Sequence, residues 1–267
     1  AGPCRSGSPC PRGCVCAPRG RHDDCAASVA CRGLAAFPAA EDYPADADCV
    51  FLEGPKLAKL DAGAKRAGLR AVPASVRRLD LSACGLGELP DDDSLGRLTR
   101  LRVLNLEFNR LKRLPRAAFH GLASLKVLWL TGNHYEKGER EYKKMQALGN
   151  RLDALDEDQF QGLGNLQVLL LHHNRLTALP EGVFRDQAKL KVLKLVDNPF
   201  QPPLSRGHAA FAGLLAGAPP RLYQLDLDRD SGDALEDHWE ETRTYLSDDF
   251  FEGPPRRKRG PGRSGEL

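Results

Sequence analysis

Several things are scarce in this sequence. It has one Met and two Trp in 267 residues, and aromatics make up 6% of a chain that is 41% hydrophobic, so its core must be aliphatic. No apolar run reaches the ~20 residues that a membrane-spanning helix requires. The chain opens on Ala-Gly-Pro-Cys with no apolar leader, as expected of a mature or truncated form. Charge of one sign is not in excess: 39 basic against 36 acidic residues leave +3, which offers no field for nucleic acid along the chain. A Gly-rich phosphate loop, a G-x-S-x-G elbow and an H-E-x-x-H pair are all missing, so the reading is non-catalytic. No cysteine follows Cys84.

Cysteine is abundant only at the start. Cys4, Cys10, Cys14, Cys16, Cys25 and Cys31 crowd a Pro/Gly/Arg-rich stretch, which points to disulfides and an oxidising compartment. The rival is a zinc site. "CPRGCVC" lacks paired C-x-x-C knuckles, and only His22 lies at a ligand-like offset.

Leucine sets the organisation. "LRVLNLEFNRL", "LKVLWLTGN", "LQVLLLHHNRL" and "LKVLKLVDNPF" share L-x-x-L-x-L-x-x-N-x-L, with Asn at 109, 133, 174 and 198; "VRRLDLSACGL" puts Cys84 in the Asn place. The L-x-L leucines alternate with period two, as in a strand with one buried face. No unit can bury its leucines alone, so units must stack into a parallel sheet over a continuous core. The Asn side chains are placed to bond the backbone of the next turn, and Cys84 fits that place as a small buried free thiol. Phe119, Phe160 and Phe184 recur in the second half of each unit, where they would fill the convex side.

One repeat is split. Asn133 to Asn174 spans 41 residues where neighbouring steps are 24 or 25. Removing 134–150 restores "LTGN–RLDALDEDQF", and Asn150, not Asn133, has a Phe ten residues on. The inserted segment reads as a helix: Tyr135, Tyr142, Met145 and Leu148 form one stripe, and Glu136–Arg140 and Glu139–Lys143 are i,i+4 pairs. A surface bulge, a partner contact and a degenerate short repeat all fit it.

The pattern is that of the leucine-rich repeat, and "CPRGCVC" through "VACRGLAAFP" resembles the N-terminal cysteine cap of extracellular members such as variable lymphocyte receptors and Toll-like and Nogo receptors. The resemblance implies an α/β solenoid, a curved horseshoe of about six repeats with short parallel strands on its concave face. It implies the pairs Cys10–Cys16 and Cys14–Cys31. Cys4 and Cys25 are surplus and available for a third bridge; Cys49, in a divergent 29-residue first repeat with Pro55 in the Asn place, is either free or the partner of Cys25. The expected organisation is a cap over 1–38, repeats over 39–200 with the insertion at 134–150, a divergent C-terminal cap over 201–250 and a disordered basic tail over 251–267. "LYQLDLDRD" is a candidate last strand and "ALEDHWEETRTYL" a closing helix. Asp226, Asp228, Asp230 and Asp237 match calcium-loop spacing, but Ser231 stands where the turn needs Gly. Arg256–Arg259 has the look of a processing site or of a solvated basic tail.

By the same resemblance, the function expected is an extracellular recognition module, secreted or a cell-surface ectodomain, that binds a protein or glycan on the concave sheet face. A structural or regulatory scaffold, such as a matrix protein or enzyme inhibitor, is the alternative. Positions between the leucines should face outward: Trp129, Leu170 and Lys194 in the central column, Glu107 and His172 in the next, Phe108 beyond. Aromatic residues there suit a binding hot spot, with Glu107 and Lys194 at the rim. His172–His173 lacks a third partner for a metal. No cofactor, metal, nucleic acid or membrane span is expected.

Overall fold

The computed structural model describes residues 10–18, 25–90, 92–132, 150–216, 222 and 224–227. The chain divides into two compact units, Ala1–Asp233 and Ala234–Leu267, and every described residue belongs to the first. The expected insertion over 134–150, apart from Asn150, the expected closing helix, most of the calcium-like loop and the basic tail lie outside the described residues.

The unit is an α/β leucine-rich repeat solenoid built on one nine-stranded sheet whose spatial order follows the sequence. β1 (Cys14–Pro18) and β2 (Ala27–Cys31) form an antiparallel hairpin. From β2 onward every pairing is parallel: β3 (Cys49–Leu52), β4 (Arg78–Asp80), β5 (Val103–Asn105), β6 (Val127–Trp129), β7 (Val168–Leu170), β8 (Val192–Lys194) and β9 (Gln224–Asp226). Strands this short cannot stand alone. They persist because Leu79 and Leu81, Leu104 and Leu106, Leu128 and Leu130, Leu169 and Leu171, and Leu193 and Leu195 all enter one core.

Behind the sheet, β3 leads into a 3-10 turn, Pro55–Lys59, and then α1 (Ala62–Ala71), which Asp61 caps by accepting the Ala64 amide at 2.8 Å. From β4 to β8 the described return path is turns, and the space is filled by rings. Phe119, Phe160, Phe184 and Phe211 stack at 6.3, 6.1 and 6.3 Å. The sequence pattern supplied the first three; Phe211, at the start of the short α2 (Ala212–Leu215), extends the spine where the repeat text has lapsed. A second row follows the rings: Gln159 donates to the Pro115 carbonyl at 3.1 Å and Gln187 to that of Phe160 at 2.7 Å. Nothing in the repeat pattern announces it.

The Asn ladder fixes the frame. Each Asn Oδ1 accepts the backbone N–H two residues past the corresponding position of the preceding turn: Asn109 from Leu86, Asn150 from Leu111, Asn174 from Leu152 and Asn198 from Leu176, at 3.0–3.2 Å. Each Nδ2 donates to carbonyls of its own and the preceding turn, as Asn174 does to Leu171 and Leu130. The frame therefore runs 84, 109, 150, 174, 198, and Asn150 rather than Asn133 completes the split repeat. Gly132 and Asn150 meet in a parallel bridge, so the insertion leaves and re-enters the solenoid at one point. Gly132 must be small there, since a Cβ would run into the His173 carbonyl of the next turn. Cys84 is free and buried, donates to the Leu52 carbonyl at 3.0 Å, and has its thiol pKa pushed up to about 12 by burial.

In the cap, Cys10–Cys16 and Cys14–Cys31 are bonded, the two pairs the resemblance implies. Cys25 does not pair with Cys4. It bonds Cys49, at a Cα separation of 5.8 Å, because the parallel register of β2 on β3 brings the entry to β2 beside the first residue of β3. Cys4 lies outside the described residues. Asp48 ties the same corner. Burial alone would raise its pKa, but the amides of Ala27 and Ala26 and the Arg77 guanidinium, at 2.6–3.0 Å, outweigh it and hold the carboxyl below the ordinary range.

Candidate functional site: the sheet face opposite the leucines

The face opposite the core is set by strand alternation. Leu128 and Leu130 point into the leucine cluster; Val127 and Trp129, between and before them, do not belong to it. Register then lines up Phe51, Asp80, Asn105, Trp129, Leu170, Lys194 and Asp226 on successive strands. Trp129 and Leu170 are direct neighbours although 41 residues separate them in sequence, because the insertion is bypassed at the Gly132–Asn150 bridge. Glu107 and His172 lie two residues past Asn105 and Leu170, and Phe108 one further.

The expectation that these side chains face open solvent does not hold. Trp129 and Leu170 are each 2% exposed, and Glu107, His172 and Lys194 are buried as well; Phe108 alone of the six is half-exposed. The inside–outside register is as expected, but the middle of this face, at Trp129 and Leu170, is nearly as enclosed as the leucine face, while Phe51, Asp80 and Val196 stay partly exposed. Val127 and Val168, both fully buried, make its floor apolar. Alternation reports which way a side chain points; it carries no information on what lies over it.

Polar groups border this strip on both sides. Toward the N-terminal end, the Arg78 guanidinium lies 5.5 Å from the Phe51 ring centre and Asn105 donates to Asp80 at 3.2 Å. Burial raises the Asp80 pKa, against hydrogen bonds from Ser82. Toward the other end, Lys194 lies 3.8 Å from Asp226, which also accepts from Gln224 at 2.8 Å. His173 Nδ1 lies 2.8 Å from Asp197, and the rings of His172 and His173 meet edge to face at 4.8 Å. In the middle, the Trp129 indole N–H and the Thr131 hydroxyl are buried with no hydrogen-bond partner among the described residues.

Four residues that close the strand ends, Ala83, Phe108, His173 and Asp197, have φ between 53° and 58°. Each precedes the ladder position, where the chain turns sharply out of the sheet. A ring at such a backbone position is uncommon, because only Gly adopts it without steric cost. No group of three or more His, Cys, Asp or Glu among the described residues could hold a metal ion. Of the four aspartates of the calcium-like loop only Asp226 is described, and its carboxylate is engaged by Gln224 and Lys194.

Comparison with known proteins fits this architecture. The family model described as "Leucine rich repeat" matches residues 74–134 and 148–200, two spans that flank the insertion. Fibromodulin of Sus scrofa is 30% identical over 105 residues, 37% of this chain and 69% of that protein. Toll-like receptor 3 of Boselaphus tragocamelus is 29% identical over 147 residues, 55% of this chain but 15% of the receptor. Podocan of Mus musculus is 33% identical over 133 residues, 46% of this chain and 20% of podocan. The chain thus spans a fifth or less of the last two. Among solved structures, the Toll–Spatzle complex of Drosophila superposes with a TM-score of 0.53 at 20% identity, over 75% of this chain and 24% of that one, which speaks for the fold alone. On the repeat frame, the ladder and these matches together, the chain belongs to the leucine-rich repeat family.

Proposed function

We propose that the protein is a non-catalytic extracellular recognition module that takes a protein or glycan ligand on the sheet face opposite the leucines. Trp129, Leu170 and Phe108 would carry the affinity, with Glu107, His172 and Lys194 around them. The observation that carries the reading is the buried Trp129 indole N–H beside Leu170, a donor without an acceptor in an apolar setting. Buried polar groups are nearly always paired, and an unpaired one is a place where a ligand acceptor is worth most. Two disulfides within the cap and one joining it to the first repeat support an oxidising compartment, secreted or at the cell surface. No described helix is long and apolar enough to cross a membrane.

The second reading, a structural or regulatory scaffold, is favoured by one observation: Trp129 and Leu170 are as buried as core residues, so they can be there to support the sheet. Trp129→Phe separates the two. It keeps most of the ring volume and removes the N–H. Secreted proteins and a glycan array are screened with the wild-type chain, and each hit is re-measured with the variant. Recognition predicts weaker binding by roughly tenfold with the midpoint of unfolding little changed. Undiminished binding by Trp129→Phe would assign the residue to support.

A further inference from the structure

Past the Asn ladder, cations of one repeat meet carboxylates of its neighbour: Arg113 lies 3.4 Å from Asp153, Arg116 3.2 Å from Asp158 and Arg185 3.7 Å from Glu157. The wall by which the chain enters the strands is charged differently. Val76, Leu101, Leu125, Leu166 and Leu190 enter the core there, so the residues on either side of each are turned away from it. Backbone bonds hold the residues that follow in one line. The Arg102 amide donates to the Arg77 carbonyl at 2.7 Å, and Lys126 to Arg102, Gln167 to Lys126 and Lys191 to Gln167 at 2.8 Å. By the same register the residues that precede form a second line, Arg100, Ser124, Asn165 and Lys189. Asn165 donates to the Ala123 carbonyl at 2.8 Å and accepts from Lys189 at 2.6 Å, which holds the Lys189 ammonium along the line. The lines start beside Asp48, which takes up Arg77 at 2.6 Å. From β5 to β8 they carry five cations, Arg100, Arg102, Lys126, Lys189 and Lys191, and neither an Asp nor a Glu. Arg100, Arg102 and Lys189 are exposed; Lys126 and Lys191 are half-exposed.

We propose that this wall binds a sulfated glycan chain laid across β5 to β8, with these cations holding its sulfates. Like charges in register on neighbouring strands destabilise a sheet. A chain with 36 acidic residues against 39 basic ones has carboxylates enough to separate them, as it does past the ladder. A stacked row of one sign on an otherwise balanced molecule is a local field for an anionic partner. Parallel strands lie ~4.8 Å apart, so the three steps from Arg102 to Lys191 span about 14 Å in a line. A linear polyanion crossing the strands follows that line. The guanidinium forks of Arg100 and Arg102 match sulfate oxygens in pairs, and Ser124 stands between the cations with a hydroxyl for sugar oxygens. Nucleic acid fits less well. Neither line holds an aromatic ring on which bases could stack, and the disulfides support an oxidising compartment, where glycans are the common polyanions. This wall is separate from the Trp129 strip, and its failure would leave the proposed function untouched.

The test measures, by calorimetry at physiological ionic strength, how a heparin dodecasaccharide binds the full oxidised chain. Three variants each lose four cations. The wall variant is Arg100→Gln/Arg102→Gln/Lys126→Gln/Lys191→Gln. The opposite-wall variant is Lys112→Gln/Arg113→Gln/Arg116→Gln/Arg185→Gln, and the tail variant is Arg256→Gln/Arg257→Gln/Lys258→Gln/Arg259→Gln. Wild-type chain should bind the dodecasaccharide saturably and its desulfated counterpart not at all. The wall variant should bind roughly thirtyfold more weakly, as the loss of four exposed ion pairs implies. Its midpoint of thermal unfolding should stay or rise, because repulsion between the strands is relieved. The other two variants should lose less than about threefold, since their charges lie beyond the screening length. No binding of heparin would overturn the proposal, as would equal losses in all three variants or a loss carried by the tail variant. Single-stranded DNA of equal charge binding as tightly through the same four residues would make the wall a nucleic-acid site and overturn it too.

Discussion

Asn150→Ala against Asn133→Ala is the sharpest test of the repeat frame. Asn150 is 1% exposed and makes three bonds: its Nδ2 donates to Leu106 at 2.8 Å and Thr131 at 3.3 Å, and its Oδ1 accepts from Leu111 at 3.2 Å. Their loss is unequal. The Leu106 carbonyl keeps a second donor, Asn109 at 2.9 Å, whereas the buried Leu111 amide loses the one acceptor it has there. An orphaned buried amide costs about 1–3 kcal/mol and each lost donation about 1 kcal/mol, so Asn150→Ala should destabilise by about 3–5 kcal/mol. Asn150 fills the ladder position, so Asn133→Ala should cost under about 0.5 kcal/mol. Urea unfolding followed by far-ultraviolet circular dichroism reads both as shifts in midpoint at constant slope. Equal losses, or a larger one at Asn133, would put the wrong Asn in the ladder and shift the split repeat by 17 residues.

Deleting 133–149 should leave a chain that unfolds in one cooperative transition, because Gly132 and Asn150 are already neighbours; loss of the folded state would make the segment part of the solenoid. Leu130→Ala should cost about 2–5 kcal/mol in the same unfolding experiment, since Leu130 is fully enclosed in the leucine core. For Asp48 the folded pKa is depressed, so its contribution is complete above the ordinary carboxylate range near pH 4 and is lost as pH falls through the lower folded value. Asp48→Asn should therefore destabilise by about 1.5–3 kcal/mol at neutral pH and flatten the acid limb of stability against pH, which thermal melts from pH 2 to 7 would register.

The leucine text was enough to place seven of the nine described strands and the Asn ladder, because period-two leucines can be buried in one way only. Asn133 and Asn150 were ambiguous by spacing, and the Phe ten residues past Asn150 was the signal that separated them. The Cys25–Cys49 bond was half legible: the sequence put Cys49 on a strand, but only the β2–β3 register brings it to Cys25. Phe211 and the Gln159–Gln187 row escaped because they serve the convex packing after the repeat has lost its frame or without repeating in it. The candidate site was legible in direction and not in exposure. Trp129 and Leu170 do lie side by side away from the leucines, yet pattern within a strand reports direction and not how far a side chain is exposed.

A photo-crosslinking amino acid at Phe108, compared with one at Glu181 on an exposed turn of the opposite side, tests the central claim most directly. Phe108 is the half-exposed member of the candidate site, so the probe reaches solvent without displacing a buried side chain. Presented with cell-surface and matrix proteins under oxidising conditions, the Phe108 probe should give one saturable adduct that excess unlabelled protein competes away, and the Glu181 probe should give none. A competed adduct from Glu181 with none from Phe108 would contradict the account and place recognition on the convex side.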